Sequence, residues 1–270
     1  MNVSIREDHI RTSEVLGMKL HIAVVGVVWL AGTGLWAADE KQASSKGDPR
    51  GAALLQEAAK TRYTWNPEVS AVSGKFTWEK DGKAGAGTFR SVLHKRGGLS
   101  ITAEGEAEVP AEVKDHIGST IMHRVGPAPG APERPQPESV IVVEDDARGP
   151  LILLLGDSMN SSQRVKDGKL VQVNRVMGGK RFTIDVTEFE KGPDGHRVYP
   201  AAFTVSWWDA ATGNKLEKQS YTTQGFHLVE GQMFPKAEIV VSEKGDKTTT
   251  LAIHYSDIKF ETIHLQGVGK

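Results

Sequence analysis

The sequence predicts a mainly β exported protein, with many antiparallel strands in a sheet or barrel and two helices beside them. Three observations carry that prediction. Residues 199–260 alternate apolar and polar side chains over long stretches separated by tight turns. Residues 18–37 have the three parts of a secretory signal. The chain has no cysteine, so disulfides, thiolate metal sites and a cysteine nucleophile are excluded.

The export signal comes first. Lys19 supplies positive charge, residues 22–30 are the apolar core, and Leu35-Trp36-Ala37 places a small residue at the cleavage position. Cleavage is expected after Ala37, with Ala38 as the alternative. An uncleaved membrane anchor is the competing reading. Gly26, Gly32 and Gly34 interrupt the stretch, which sits at the short limit for a bilayer core of ~30 Å. Residues 1–17 are polar and mixed in charge, and read as an over-extended start, with translation beginning at Met18. Residues 38–51 are a flexible linker. Residues 52–263 form a single exported domain, long enough to bury its own core. The formal net charge of −1 gives no basic excess, so nucleic acid is not an expected partner. Lacking cysteine, the mature terminus has no residue to carry a lipid anchor.

The elements follow in order. Residues 52–60 contain strong helix formers, with Leu54, Leu55, Ala58 and Ala59 on one face and Arg62 completing it. Pro67 ends any helix before Asn66. Val72, Gly74, Phe76 and Trp78 alternate with polar residues as a strand, and Asp81-Gly82 turns it into residues 84–93. Residues 99–103 make a shorter strand. Val113, Ile117 and Ile121 recur every four residues and predict a helix over 110–123. Residues 126–137 are proline-rich and read as an extended surface loop. Two apolar runs follow, 140–143 and 151–155, and the second lacks alternation, as if both its faces were covered. The remainder is a meander punctuated at Asp167-Gly168, Gly178-Gly179, Asp194-Gly195, Thr212-Gly213 and Gly245-Asp246, with a longer connection over 225–231.

Few residues suggest chemistry. His116 and His123 lie two helical turns apart, roughly 10 Å, which is too far to share one zinc ion. Glu144, Asp145 and Asp146 lack further side-chain oxygens at calcium-binding offsets and read as a solvated strand end. Gly156-Asp157-Ser158 follows an apolar strand, as a serine nucleophile would, but no Asp-x-x-His follows. Asp257 and His264 are seven apart. The Gly-Asp pair therefore reads as a turn. The spaced glycines of residues 82–87 lie in a hairpin and not between strand and helix, so they are not a phosphate loop. Lys95-Arg96 and Lys180-Arg181 are isolated surface charges. No metal site and no cofactor is expected. Trp207 and Trp208 are adjacent in a strand and face opposite sides. Tyr199, Phe203, Val205 and Trp207 share one largely apolar face, suited either to core packing or to lining a cavity.

The segment from Val205-Ser206-Trp207-Trp208-Asp209 through Gly213, Tyr221, Met233-Phe234-Pro235-Lys236 and residues 251–260 resembles the LolA-like outer-membrane lipoprotein carrier fold. Residues 54–260, with Arg62-Tyr63-Thr64-Trp65 after the first helix, resemble more closely an uncharacterised bacterial family, domain of unknown function 3386. The resemblance implies an open antiparallel half-barrel with two or three helices covering its concave face. In the carriers that concavity holds acyl chains. The sequence offers no counterpart to a lipoprotein's specific contacts.

Two functions fit. The first is an exported, non-catalytic module that binds a lipid-like or other apolar ligand in the cell envelope, periplasmic or extracellular. Its candidate lining, chosen by strand face, is Phe76, Trp78, Phe89, Phe203, Val205 and Trp207. The second is an envelope structural domain with a filled core that binds another envelope protein. An exported hydrolase built on Ser158 ranks last. No membrane span is expected after signal cleavage.

Overall fold

The computed structural model describes residues 47–94, 98–126 and 139–262. The export signal, residues 1–17, Lys95-Arg96, His264 and most of the proline-rich segment lie outside them. The described residues form α1 (Pro49–Thr61), β1 (Val69–Lys80), β2 (Lys83–Leu93), β3 (Leu99–Gly105), α2 (Ala111–Met122), β4 (Ser139–Asp146), β5 (Gly149–Leu155), β6 (Ser162–Lys166), β7 (Lys169–Met177), β8 (Lys180–Lys191), β9 (Val198–Asp209), β10 (Lys215–Val229), β11 (Gln232–Lys244) and β12 (Lys247–Thr262). All twelve strands join one open antiparallel sheet in the order β3-β2-β1-β12-β11-β10-β9-β8-β7-β6-β5-β4. The meander from β4 to β12 is continuous, and the first hairpin then docks on β12. No helix of the described residues is long and apolar enough to cross a membrane.

Each helix covers one end of the sheet. Pro49 opens α1, where a missing N–H costs nothing, and the Asp48 carboxylate accepts from Arg50 N at 2.8 Å. Ala58 of α1 packs with Val140, Ile152 and Val165, and Gly51 approaches Val140, Val142 and Ile152 closely. Val113, Ile117 and Ile121 of α2 are fully buried against Phe76, Phe89, Phe234, Ile253 and Tyr255. The four-residue spacing seen in the sequence is thus the contact face of α2. A third cluster, Val173, Phe182, Ile184, Phe203, Val205 and Trp207, lies on β7–β9 between the two helices.

A strap joins the helices across the bottom of the sheet. Tyr63 N donates to Val198 O at 2.8 Å, and Trp65 N donates to Arg124 O at 2.7 Å. Trp65 Nε1 donates to Met233 O at 2.8 Å, while the Tyr63 hydroxyl accepts from Met233 N at 2.9 Å. The Arg62-Tyr63-Thr64-Trp65 segment therefore ties β9, β11 and the end of α2 together.

Three expectations change. The connection expected over 225–231 is strand: β10 runs to Val229 and turns at Glu230-Gly231, both at positive φ. Gly225, at φ +69°, falls between the Gln224–Ala237 and Phe226–Pro235 pairs, and the register is the same on both sides of it. The apolar run of β5 is not covered on both faces, since Ile152 is buried while Leu155 is 38% exposed. It lies one strand from the sheet edge, and among the described residues α1 is the element that shields it. Helix α1 begins at Pro49, inside the stretch expected to be linker, and ends at Thr61, where residues 62–65 leave helical geometry to form the strap.

Candidate functional site

The site begins where helical cover ends. Among the described residues nothing covers the concave face between α1 and α2, and a cleft of about 900 Å³ occupies it. Its floor is β9, with Tyr199, Phe203 and Trp207, and β10, with Gln219, Tyr221 and Thr223. Its walls are His116, Ser119 and Thr120 of α2 on one side and the β7–β8 turn, with Gly178 and Lys180, on the other. Lys80, Lys180 and Lys244, all at hairpin turns, stand at its mouth with Glu112, which is ion-paired to Lys80. His123 and Tyr199, the latter with the Arg124 guanidinium over its ring, mark its deep end.

The floor is an aromatic stack. The Phe203 and Tyr221 rings lie 4.6 Å apart at 8°, and His116 continues the stack at 6.2 Å and 11°. They meet because Phe203 and Tyr221 are directly paired across β9 and β10. The two tryptophans divide as adjacent strand residues must. Trp207 faces the cleft beside Phe182, whereas Trp208 lies under the Arg181 guanidinium on the other face.

The six residues predicted to line a cavity fall into two groups. Phe203 and Trp207 line the cleft. Val205, fully buried, packs within their cluster and does not reach the cleft surface. Phe76, Trp78 and Phe89 lie in the filled core beneath α2, away from the cleft. Tyr199, Tyr221 and the polar deep end escaped selection.

That deep end is a buried polar knot. Glu238 on β11 is 7% exposed, and its Oε2 accepts from Thr120 Oγ1 at 2.5 Å and Tyr255 OH at 3.1 Å. His116 Nε2 lies 3.1 Å from the same oxygen. Arg124 is fully buried, donates through Nη1 to Thr120 O at 2.6 Å and stacks 4.1 Å over the Tyr199 ring. Burial would raise the Glu238 carboxyl, but His116, Arg124 and Thr120 outweigh it and hold it at about 2. Burial, with Arg62 and Arg124 beside it, drives the His123 imidazole down to about 3. Burial pushes the Tyr221 and Tyr255 phenols well above their ordinary range. One signal was available in the sequence. Glu238 is in step with Val240 and Ser242 on the cleft side of β11, an unusual place for a carboxylate.

Other motifs are structural. Glu144 and Asp146 bind the buried Arg164 at 2.6 and 3.1 Å, Arg148 joins them, and Asp145 pairs with Arg50. The acidic run is the exposed strand end that was expected, and it also binds three arginines. Among the described residues no group of His, Asp and Glu is placed to hold a metal ion. Asp157 caps the turn around Ser158, accepting from Ser161 N at 3.0 Å through its side chain and from Asn160 N at 3.0 Å through its carbonyl. Asp257 is bound by Lys75 at 2.7 Å on the surface.

An open antiparallel sheet wrapped around one cleft and capped by two helices defines the class. The chain belongs to the family described as protein of unknown function (DUF3386), which matches residues 47–260. It is also similar to solved structures. One is an outer membrane lipoprotein-sorting protein domain, so described, from Vibrio parahaemolyticus, at 9% identity and TM-score 0.37, covering 79% of this chain and 93% of that one. Another is the LolA superfamily protein NE2245 from Nitrosomonas europaea, at 10% identity and TM-score 0.27, covering 79% and 94%. A third is the Pseudomonas aeruginosa MucA/MucB complex, at 9% identity and TM-score 0.18, covering 79% and 100%. No curated protein matches the chain.

Proposed function

We propose that this protein is an exported, non-catalytic binding module that holds a lipid-like or other apolar ligand in the cell envelope. The observation that carries the reading is the cleft of about 900 Å³ floored by Tyr199, Phe203, Trp207 and Tyr221. Its size falls within the roughly 300–1,000 Å³ of small-molecule sites, and it is concave and aromatic, as such sites are. The secretory pattern of residues 18–37 supports the envelope as the compartment. The absence of catalysis is supported by where the polar groups go: Glu238 is bound by three side chains, and Asp157 caps a turn.

The test is native mass spectrometry of the protein purified gently from an exporting host. The expected result is a bound mass matching a lipid. The supporting measurement is quenching of tryptophan fluorescence by added brominated lipid, reduced at least tenfold in affinity by Phe203→Ala. A bare protein mass with no uptake of added phospholipid, fatty acid or monoacylglycerol would overturn the reading and favour an interaction domain.

A further inference from the structure

The polar deep end of the cleft carries an asymmetry. Oε2 of Glu238 has Thr120, Tyr255 and His116 around it. Oε1 faces Nη2 of Arg124 at 3.7 Å, an ion-pair distance too long for a hydrogen bond. Nη2 is buried and makes no hydrogen bond among the described residues, although Nη1 of the same guanidinium does. The side chains of Arg124 and Glu238 are 1% and 9% exposed. A buried N–H left unsatisfied is costly. Glu238, His116 and Thr120 all line the cleft, and Arg124 lies over the ring of Tyr199, which also lines it.

We propose, building on the ligand-binding reading above, that Glu238 Oε1 and Arg124 Nη2 are the polar anchor of the cleft and take an uncharged, hydroxyl-bearing head group. A hydroxyl oxygen accepts from Nη2 and its hydrogen is donated to Oε1, so one group satisfies both atoms. Two sides of ~2.8 Å each span 3.7 Å with the hydroxyl off the line between them, so it enters from the cleft side without parting the pair. Charge selects the class. A carboxylate or phosphate head would be brought against the buried Glu238, which Thr120, Tyr255 and His116 hold ionised. An ammonium head would be brought against the buried Arg124 guanidinium. Either placement buries like charges together. The neutral head meets no such opposition, and its chain then runs over Tyr199, Tyr221 and Phe203 toward the mouth.

The experiment compares three probes with one acyl chain: monooleoylglycerol, oleate and oleylamine, each titrated into the full-length exported protein and followed by tryptophan fluorescence and native mass spectrometry. Monooleoylglycerol is expected to bind at least tenfold tighter than either charged probe. Glu238→Gln removes the charge that opposes a carboxylate and keeps Arg124, so it is expected to bring oleate within about threefold of monooleoylglycerol while oleylamine stays weak. Arg124→Lys keeps the charge but removes the Nη2 donor, so it is expected to weaken monooleoylglycerol at least fivefold, with circular dichroism melting to confirm that each variant is folded. The wild-type series decides the matter even if both variants fail to fold. Equal affinity for all three probes would overturn the anchor and leave the cleft reading standing. Uptake of none of them would overturn both.

Discussion

At the scale of single residues, the buried polar knot makes stability depend on acid in a defined window. His123 has its folded pKa driven below its unfolded value, to about 3. Between those values the unfolded chain binds a proton that the native state refuses. Its contribution is therefore complete above about pH 6.5 and is lost as pH falls toward 3. Glu238 is also depressed, to about 2, so its contribution is present above roughly pH 4.3 and disappears only below that. The two windows separate. Between pH 7.5 and 5.0, His123 alone should cost about 2 kcal/mol. Urea unfolding at the two pH values checks this. His123→Gln should lose about 2 kcal/mol less than wild type over that interval, and equal losses would show that the imidazole is not held neutral. Removing the charge of Glu238 acts differently, because Arg124 stays behind. Glu238→Leu leaves a fully buried guanidinium without its counter-ion and should cost about 3–5 kcal/mol at pH 7.5, read by the same unfolding experiment.

At the scale of elements, the first hairpin is built from glycine–aromatic pairs. Phe76 lies opposite Gly87, Trp78 opposite Gly85 and Phe89 opposite Gly74. A Cβ on Gly85 would meet the Trp78 indole at 2.7 Å, and one on Gly74 would meet Phe89 at 3.0 Å. The rings lie across the bare backbone of the neighbouring strand, which lets the hairpin curve under α2. Gly87 is the least forgiving, since its Cβ would fall 2.2 Å from the Glu104 carbonyl of β3, a backbone atom that cannot swing aside. Gly87→Ala should cost about 2–3 kcal/mol. Gly118, inside α2, has nothing nearer than the Leu99 side chain at 3.7 Å, so Gly118→Ala should stabilise by about 0.5–1 kcal/mol. Thermal melts of the two variants should move in opposite directions. This hairpin also marks the limit of sequence reading. The spacing of Val113, Ile117 and Ile121 announced α2 because a helix's contacts are local. The alternation of Phe203, Val205 and Trp207 announced an inward face for the same reason. Glycines 85 and 87 read only as a hairpin, because their purpose depends on cross-strand register, which no single segment contains. Phe76 and Phe203 looked alike as candidates. What separates them is that α2 covers one and, among the described residues, no helix covers the other, a fact of tertiary placement. Glu238 was passed over because its partners lie far away along the chain, at 116–124 and 255.

At the scale of the whole molecule, an open sheet of twelve strands needs something to fix its curvature, and the strap supplies it. Its hydrogen bonds reach β9 at Val198, β11 at Met233 and the end of α2 at Arg124, so one short segment holds three separated elements. Trp65 is the centre of it. The side chain is 2% exposed, stacks with Phe234 at 6.1 Å, meets Phe260 edge-on at 5.0 Å and donates to the Met233 carbonyl. Trp65→Phe keeps most of the ring packing and leaves that carbonyl without its donor, which should cost about 1–3 kcal/mol. Trp65→Ala removes the packing as well and should cost about 3–5 kcal/mol. For a domain of this size each kcal/mol lowers the melting temperature by roughly 2–4 °C, so the two variants should melt in that order and be clearly resolved. The strap also ends at Arg124, whose guanidinium seats Tyr199 at the deep end of the cleft. Loosening it should therefore weaken monooleoylglycerol binding beyond what lost stability explains. Affinity measured well below each variant's melting temperature separates the two effects. Unchanged affinity in Trp65→Phe would mean that the deep end keeps its shape without the strap.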